Sequence, residues 1–418
     1  MRLHILGLAL GVAAAFVSPA SFAQPAVLTI DQAVERALDA APELRASVEL
    51  RRAAAGALAQ ASVRPNPTAQ FEAENFAGSD PFNGLGGGEY SYSLGQRIER
   101  GGKRAARISI ADAEGDLARI DQVRTELDVI TEVRSVYVEA MAATAQFAVA
   151  QEQEEIGRAL VDAVNRRVAS ARDPEAALLR VKARAAELGA DRDLARQTME
   201  LARRRLASYW SGNGDAFTVD TAPLFAEPEE IHVFEAGIAE SPDAALLAAN
   251  EARAGAALRL EQANAKQDPT ISLGVRHLAG DDAVAGILSF SMPIALFDTN
   301  RGAIARARAE RNRAEWQKRG GLMRLERELA TVSGRHLAAS AEARAIRDNI
   351  IPQAEAALAS ARRGFQRGGF TYLDVIEAQR ALAELRLREI ATLARLRQAE
   401  IALDRLTGRK PDNLELAQ

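Results

Sequence analysis

The sequence predicts a mainly helical fold with a membrane β part. Ala, Leu, Arg and Glu dominate the 418 residues, and aromatics make up only 5%. That is the composition of long helices with small-residue interfaces. Four stretches abandon the helical period for alternation, each near the ten or so residues a tilted strand needs to cross a bilayer. The order of elements in the first half then recurs in the second, at a spacing of roughly 200 residues.

Composition also excludes. Net charge is −4, with both signs interspersed, a solvated surface and not a nucleic-acid binder. There is no cysteine, so disulfides, thiolate chemistry and lipid attachment through a thiol are ruled out. The four histidines, at 4, 232, 277 and 336, are far apart in sequence, so no histidine metal site is expected. No catalytic constellation is legible. Gly102-Lys103 is followed by Arg104, where a phosphate loop needs Ser or Thr. The glycines at 84 and 86 to 88 lead into a strand, so they read as an external loop. The chain reads as neither an enzyme nor a cofactor binder.

Residues 1–23 read as an export signal. Arg2 is the basic end, Leu3 to Val17 the apolar run, and Ser21-Phe22-Ala23 a small-x-small cleavage site. A short helix then starts at Thr29 or Asp31 and stops at Ala41-Pro42, because the residue before proline avoids the helical region. A second runs from about Glu43 to Val63, and Arg64-Pro65-Asn66-Pro67 ends it. Ala69, Phe71 and Ala73 alternate with Gln70, Glu72 and Glu74 in the first strand. Tyr90, Tyr92, Leu94 and Ile98 alternate with Ser91, Ser93 and Arg97 in the second. Helix resumes after Gly101-Gly102 and runs to about Arg172, roughly 100 Å. Asp173-Pro174 reads as N-cap and first helical position of a return helix to about Tyr209. A linker with Pro223 and Pro228 follows.

The second half answers the first. Ser241-Pro242 matches Ala41-Pro42, and Asp268-Pro269-Thr270 matches Asn66-Pro67-Thr68. Strands follow over Thr270 to His277 and Gly286 to Ile294. A long helix spans about Asn300 to Phe365, with bends expected at Gly320-Gly321 and Pro352. Arg367-Gly368-Gly369 supplies a turn, and Thr371 with Asp374 makes a capping box. The closing helix carries two apolar seams. One holds Val375, Leu382, Leu396, Leu403 and Leu406, interrupted by Glu389 and Thr392; the other holds Leu373, Ile376, Leu387, Ile390 and Ile401. Two seams about 100° apart mean a neighbour on each side, as in a wall of helices. The expected organisation is residues 24–225 as a first repeat and 226–418 as a second, together one protomer.

Four strands cannot close a barrel, and open edges are not tolerated in lipid. Other copies must complete the sheet. Two would give eight strands and three would give twelve, and only the wider barrel leaves a pore. The remaining reading is a half-buried hairpin on a soluble periplasmic coiled-coil scaffold.

Leu94-Gly95-Gln96-Arg97-Ile98-Glu99-Arg100-Gly101-Gly102-Lys103-Arg104 resembles the strand-to-helix junction of TolC-family outer-membrane factors, nearest the branch paired with heavy-metal cation pumps. Pro293 to Gly302 resembles the second junction, and Gly364 to Gln379 the periplasmic tip. The resemblance covers nearly the whole mature chain. It implies a homotrimer with a twelve-stranded β-barrel in the outer membrane and a helical α-barrel across the periplasm. It implies a periplasmic adaptor and an inner-membrane proton-driven pump as partners, and metal ions as passengers. A drug-efflux or type I secretion outlet is the alternative within the family. The first tip, Arg166 to Asp173, departs from the family pattern: Ala171 or Arg172 stands where a glycine is usual.

Two sets of residues follow as candidates. Asp374 and Glu377, one turn apart past the tip, would form carboxylate rings in a trimer that favour cations; Asp374 equally serves as a helix cap. Arg363, Phe365 and Gly368, with Arg167 and Val168 of the first tip, are expected exposed, and the resemblance implies that they dock the adaptor.

Overall fold

A computed structural model describes residues 26–80, 82, 84–227 and 237–410. The export signal and Pro228 lie outside the described residues. Strand β1 (Ala26–Leu28) leads into α1 (Ile30–Ala40). Thr29 and Gln32 form a reciprocal capping box there, at 3.3 Å for each bond. Ala33, Val34, Ala37 and Leu38 are buried on one helical face. Pro42 opens α2 (Pro42–Ala61) at the first turn, where its missing N–H costs nothing. Strands β2 (Thr68–Glu74) and β3 (Glu89–Arg97) follow.

The 67-residue helix α3 (Lys103–Ala169) starts from Gly102 in the left-handed region, φ 75°. It returns as α4 (Glu175–Ala207). Here the expected cap shifts by one. Pro174 is the N-cap, and Asp173 instead accepts two bonds from Arg167, at 2.8 and 3.0 Å. The expected linker holds two short elements, β4 (Phe217–Val219) and α5 (Ala222–Phe225). Strand β4 pairs in parallel with β1. The Tyr137 hydroxyl of α3 donates to the Leu28 carbonyl at 2.7 Å, fixing that small sheet to the long helix.

Helix α6 (Pro242–Asn264), capped by Ser241, leads to β5 (Thr270–Leu278) and β6 (Ala283–Ser291). Strand β6 sits three residues earlier than its alternation implied. Pro293 has no N–H for a ladder, so the paired segment stops before it. Helix α7 (Arg301–Ala345) starts from Asn300, also left-handed at φ 59°. Helix α7 is unbroken across Gly320-Gly321, where a bend was expected. A Cβ on Gly321 would lie 2.4 Å from Leu247 Cδ1, so that glycine lets α6 and α7 approach. Ahead of Pro352 the α-helix is interrupted. A wide π turn, Ile346–Ile350, separates α7 from α8 (Ile351–Arg367), and proline's ring and absent N–H account for it. Helix α9 (Tyr372–Thr407) closes the chain.

The long helices form a wall in which α3 packs on α4, α6, α2 and α9, and α9 packs on α7 and α8. Its main core joins Tyr137 and Met141 to Leu206, Phe217 and Leu396. A second core, toward the hairpin tips, holds Val164, Val181, Leu358, Phe365, Val375 and Leu382. The first seam of α9 is buried at Val375, Leu382, Leu396, Leu403 and Leu406. The second is buried at Ile390 and Ile401 but open at Leu373 and Leu387. Among the described residues, no helix is long and apolar enough to cross a membrane.

Candidate functional site

The four long strands form one antiparallel sheet in the order β2-β3-β5-β6. Directly opposed residues share a face, so the register sorts the side chains. Ala69, Leu94, Leu273 and Leu288 line up across the sheet, as do Phe71, Tyr92, Val275 and Gly286. With Phe290 and Val284 they make one apolar face. Glu72, Ser91 and Arg276 occupy the other, with Gln70, Ser93, Ser272, Ser289 and Ser291. The apolar face is uncovered: Phe71, Leu94, Leu273, Leu288 and Phe290 are each more than half exposed. A contiguous apolar sheet surface of this kind needs a non-aqueous neighbour.

On the polar face an ion cluster sits at the end remote from the helices. Arg276 bonds Glu89 at 2.7 Å, Glu74 at 3.2 Å and the Ser91 hydroxyl at 2.9 Å. Its guanidinium crosses β3 to hold two carboxylates that would otherwise repel. Sequence reasoning passed it over, although Arg276 alternates in phase with the polar face.

At the opposite end of the wall lie the tips. Thr371 caps α9, its hydroxyl accepting from the Asp374 amide at 3.4 Å. Asp374 accepts from the Thr371 hydroxyl and amide, both at 2.7 Å. Those bonds hold its carboxyl below the usual carboxylate range. Glu377 is exposed on the next turn and makes no ion pair among the described residues. The structure thus brings Asp374 and Glu377 together on solvent, and binds Asp374 into its own cap.

Of the expected tip residues, Arg363 and Gly368 are exposed. Phe365 is not: it is 8% exposed, within the second core. It shares that core with Val375 and Leu382 of α9 and with Val164 and Val181 of α3 and α4, the last two more than 180 residues away in sequence, a partnership the local pattern does not show. Val168 is half-buried beside the same core. The Arg167 guanidinium lies over the Phe365 ring, 4.8 Å from its centroid, which ties the two tips together.

Between the tips and the main core, a cavity of about 380 Å³ is lined by Glu152, Arg347, Glu355, Arg386 and Glu389. Arg386 pairs with Glu152 at 2.5 Å and Glu355 at 3.2 Å. Burial pushes the Glu389 carboxyl up, against the pull of Arg347 and Arg386. Thr392, the other interruption of the seam, is fully buried; its hydroxyl accepts from Arg395 at 2.9 Å. A larger groove of about 810 Å³ runs along one side of the wall, between α3, α4, α7 and α9.

A one-sided sheet of bilayer height with two open edges, continued by helices of about 100 Å, defines a subunit of a membrane channel with a long extramembrane part. Residues 237–409 match the outer membrane efflux protein family. The chain is 30% identical over 316 residues to the nickel and cobalt resistance protein CnrC of Cupriavidus metallidurans, spanning 74% of this chain and 73% of that one. It is 27% identical over 389 residues to the cobalt-zinc-cadmium resistance protein CzcC of the same organism, spanning 91% and 90%. Its fold resembles that of the outer membrane protein VceC from Vibrio cholerae, with a TM-score of 0.74 at 22% identity over 91% of this chain and 96% of that one. The chain belongs to the outer membrane efflux protein family. It is a protein of the outer membrane whose helices extend into the periplasm.

Proposed function

We propose that this chain, as a homotrimer, forms a passive export duct for heavy-metal cations across the periplasm and outer membrane. The observation that carries the reading is the sheet. One face is apolar and uncovered, the other is polar, and both edges are open. Lipid on the first face and water on the second satisfy both, and copies joined at the edges satisfy the backbone. The metal assignment rests on the two resistance proteins above, which share 27% and 30% identity with the chain. The duct itself consumes no fuel. An adaptor docked at the tips and an inner-membrane pump supply substrate and energy.

Within that reading, Asp374 and Glu377 form paired rings at the periplasmic end and favour cations over anions. Arg363 and Gly368, with Arg167 and Val168, present the adaptor surface. Phe365 serves that surface from beneath, by holding Arg167. Residues 24–225 and 226–418 act as two repeats of one protomer.

Deleting the gene and growing the strain on graded cobalt, zinc, cadmium and nickel tests the substrate class. Loss of tolerance to these metals is expected, with drug tolerance retained; the reverse pattern overturns the metal assignment. In planar bilayers, Asp374→Ala with Glu377→Ala is expected to lower cation selectivity and weaken block by divalent ions. Unchanged selectivity and block would remove the rings from the account.

A further inference from the structure

The two junctions that carry the chain from strand to long helix are built from different chemistry. The first, from Ile98 to Lys103 at the start of α3, is a clasp of ion pairs. Glu99 pairs with Arg107, Lys103 pairs with Asp268 at 2.8 Å, and Asp268 also accepts from the Arg100 amide at 2.9 Å. The second, from Ile294 to Arg301 at the start of α7, is two residues longer and largely apolar. Its Ile294, Leu296 and Phe297 are 78%, 73% and 98% exposed. The backbone beneath them is held in place. The Leu296 amide donates to the Ile294 carbonyl at 2.9 Å, and the Asn300 amide donates to the Asp298 carboxylate at 2.9 Å. The Asn300 side chain donates to the Glu261 carbonyl of α6 at 2.7 Å. The turn is therefore formed, and its apolar side chains stand outside it.

We infer that Leu296 and Phe297 anchor each copy in the periplasmic leaflet of the outer membrane, at the boundary between phospholipid acyl chains and headgroups. This rests on the duct reading and fixes the depth at which the sheet sits. Phase supports it first. Met292 and Ile294 continue the alternation of Leu288 and Phe290, so the uncovered apolar face runs on past the end of the ladder. Position supports it next. Strand β6 has nine residues, about what a tilted strand needs to cross the hydrocarbon, so the residues just past Ser291 stand at the bilayer surface. Aromatic rings are favoured at that level. Charge agrees. The Arg100 guanidinium reaches past the end of β5 to the Met292 sulfur at 3.8 Å. It sets a cation beside the apolar face, where lipid phosphates lie. A neighbouring copy does not take the lipid's place, and the first junction shows why. Its strand neighbour lies within the chain: Ile98, in the same phase as Ile294, donates its amide to the Pro269 carbonyl at 2.9 Å. Even so, Ile98 stays 44% exposed and Arg100 stays exposed. A strand neighbour thus leaves the outward side of a junction bare. The anchor belongs to the second repeat alone, so each copy grips the leaflet at one of its two junctions.

The chain has no cysteine, so a nitroxide label can be placed at one chosen position of the full-length protein in phospholipid bilayers. The labelled variants are Phe297→Cys, Leu288→Cys on the apolar face of β6, and Ser79→Cys in the exposed loop after β2. Collision of each label with oxygen, which concentrates in lipid, is compared with collision with a water-soluble nickel chelate. The oxygen-to-nickel ratio at position 297 is expected several-fold above that at 79 and no higher than that at 288. A ratio at 297 equal to that at 79 puts Phe297 in water and overturns the anchor. Low collision with both reagents at 297 means that protein covers it, and overturns the anchor as well. In either case a lipid-like ratio at 288 leaves the duct standing, whereas a water-like ratio at 288 removes the duct and the anchor together.

Discussion

The two hairpin tips turn through the same backbone geometry on different residues. At the first, Ala171 takes a left-handed φ of 54°, with Arg172 N–H bonded to the Arg167 carbonyl and Ala171 N–H to that of Val168, both at 2.9 Å. At the second, Gly368 has φ 81°, with Gly369 N–H bonded to the Gly364 carbonyl at 2.9 Å and Gly368 N–H to that of Phe365 at 3.1 Å. Both are the same helix-ending motif. Alanine in that conformation costs roughly 1–2 kcal/mol, whereas glycine does not incur it. The first tip offsets its strain with the Arg167–Asp173 fork and the stacking of Arg167 on Phe365. The second relies on glycine, a capping box, and Phe370 folded over Gly364, where a Cβ would meet the ring. A missing glycine therefore does not abolish the turn. It makes the first tip depend on a side chain of the second.

That dependence can be broken from the second tip. Phe365→Ala is expected to cost about 3–5 kcal/mol, the range for a buried aromatic. Amide exchange should then speed up at both tips; acceleration at the second alone would mean that Arg167 does not couple them. Glycine exchange sharpens the contrast by opposite signs. Gly368→Ala should destabilise its tip by roughly 1–2 kcal/mol, and Ala171→Gly should stabilise the other by up to about 1 kcal/mol. Exchange protection of the adjacent helical turns reads both. Thr371→Ala removes the second tip's cap at a cost of about 1 kcal/mol.

Acidity distinguishes the two ends of α9's polar inventory. The Asp374 carboxyl is lowered in the folded chain, so its contribution is present above the ordinary carboxylate range and is lost as pH falls through the folded value. Thr371→Ala should flatten that acid dependence of tip protection. The Glu389 carboxyl is raised, so its contribution is present at low pH and fades as pH rises through the folded value. Glu389→Gln should therefore stabilise the wall near neutral pH, and more so there than in acid. Equal effects at both pH values would show that the cavity leaves Glu389 solvated.

What the sequence revealed depended on how local the cause was. Alternation in Phe71, Tyr92, Leu273 and Leu288 reported the sheet and its faces, because a period of two survives without knowledge of the partner. Thr29 and Thr371 announced their helices because a capping box is complete within four residues. The end of β6 was misplaced because Ile294 continues the alternation while Pro293 ends the ladder. Strands β1 and β4, three residues each, were too short to show a period and exist by pairing across the chain. Gly321 resembled a hinge in sequence and proved to be a contact, since only Leu247 on another helix gives it meaning. Phe365 was misjudged for the same reason. Asp374 and Glu377 lie one turn apart in α9, a spacing readable from the sequence alone, whereas Arg276 needed strand register before its two carboxylates came into view.

The central claim is that the sheet is completed by other copies of the chain within lipid. The mass of the particle extracted from outer membranes into lipid nanodiscs, measured by native mass spectrometry, tests it directly. The account predicts a single species of three chains. A single chain, obtained in the water-soluble fraction without detergent, would contradict it.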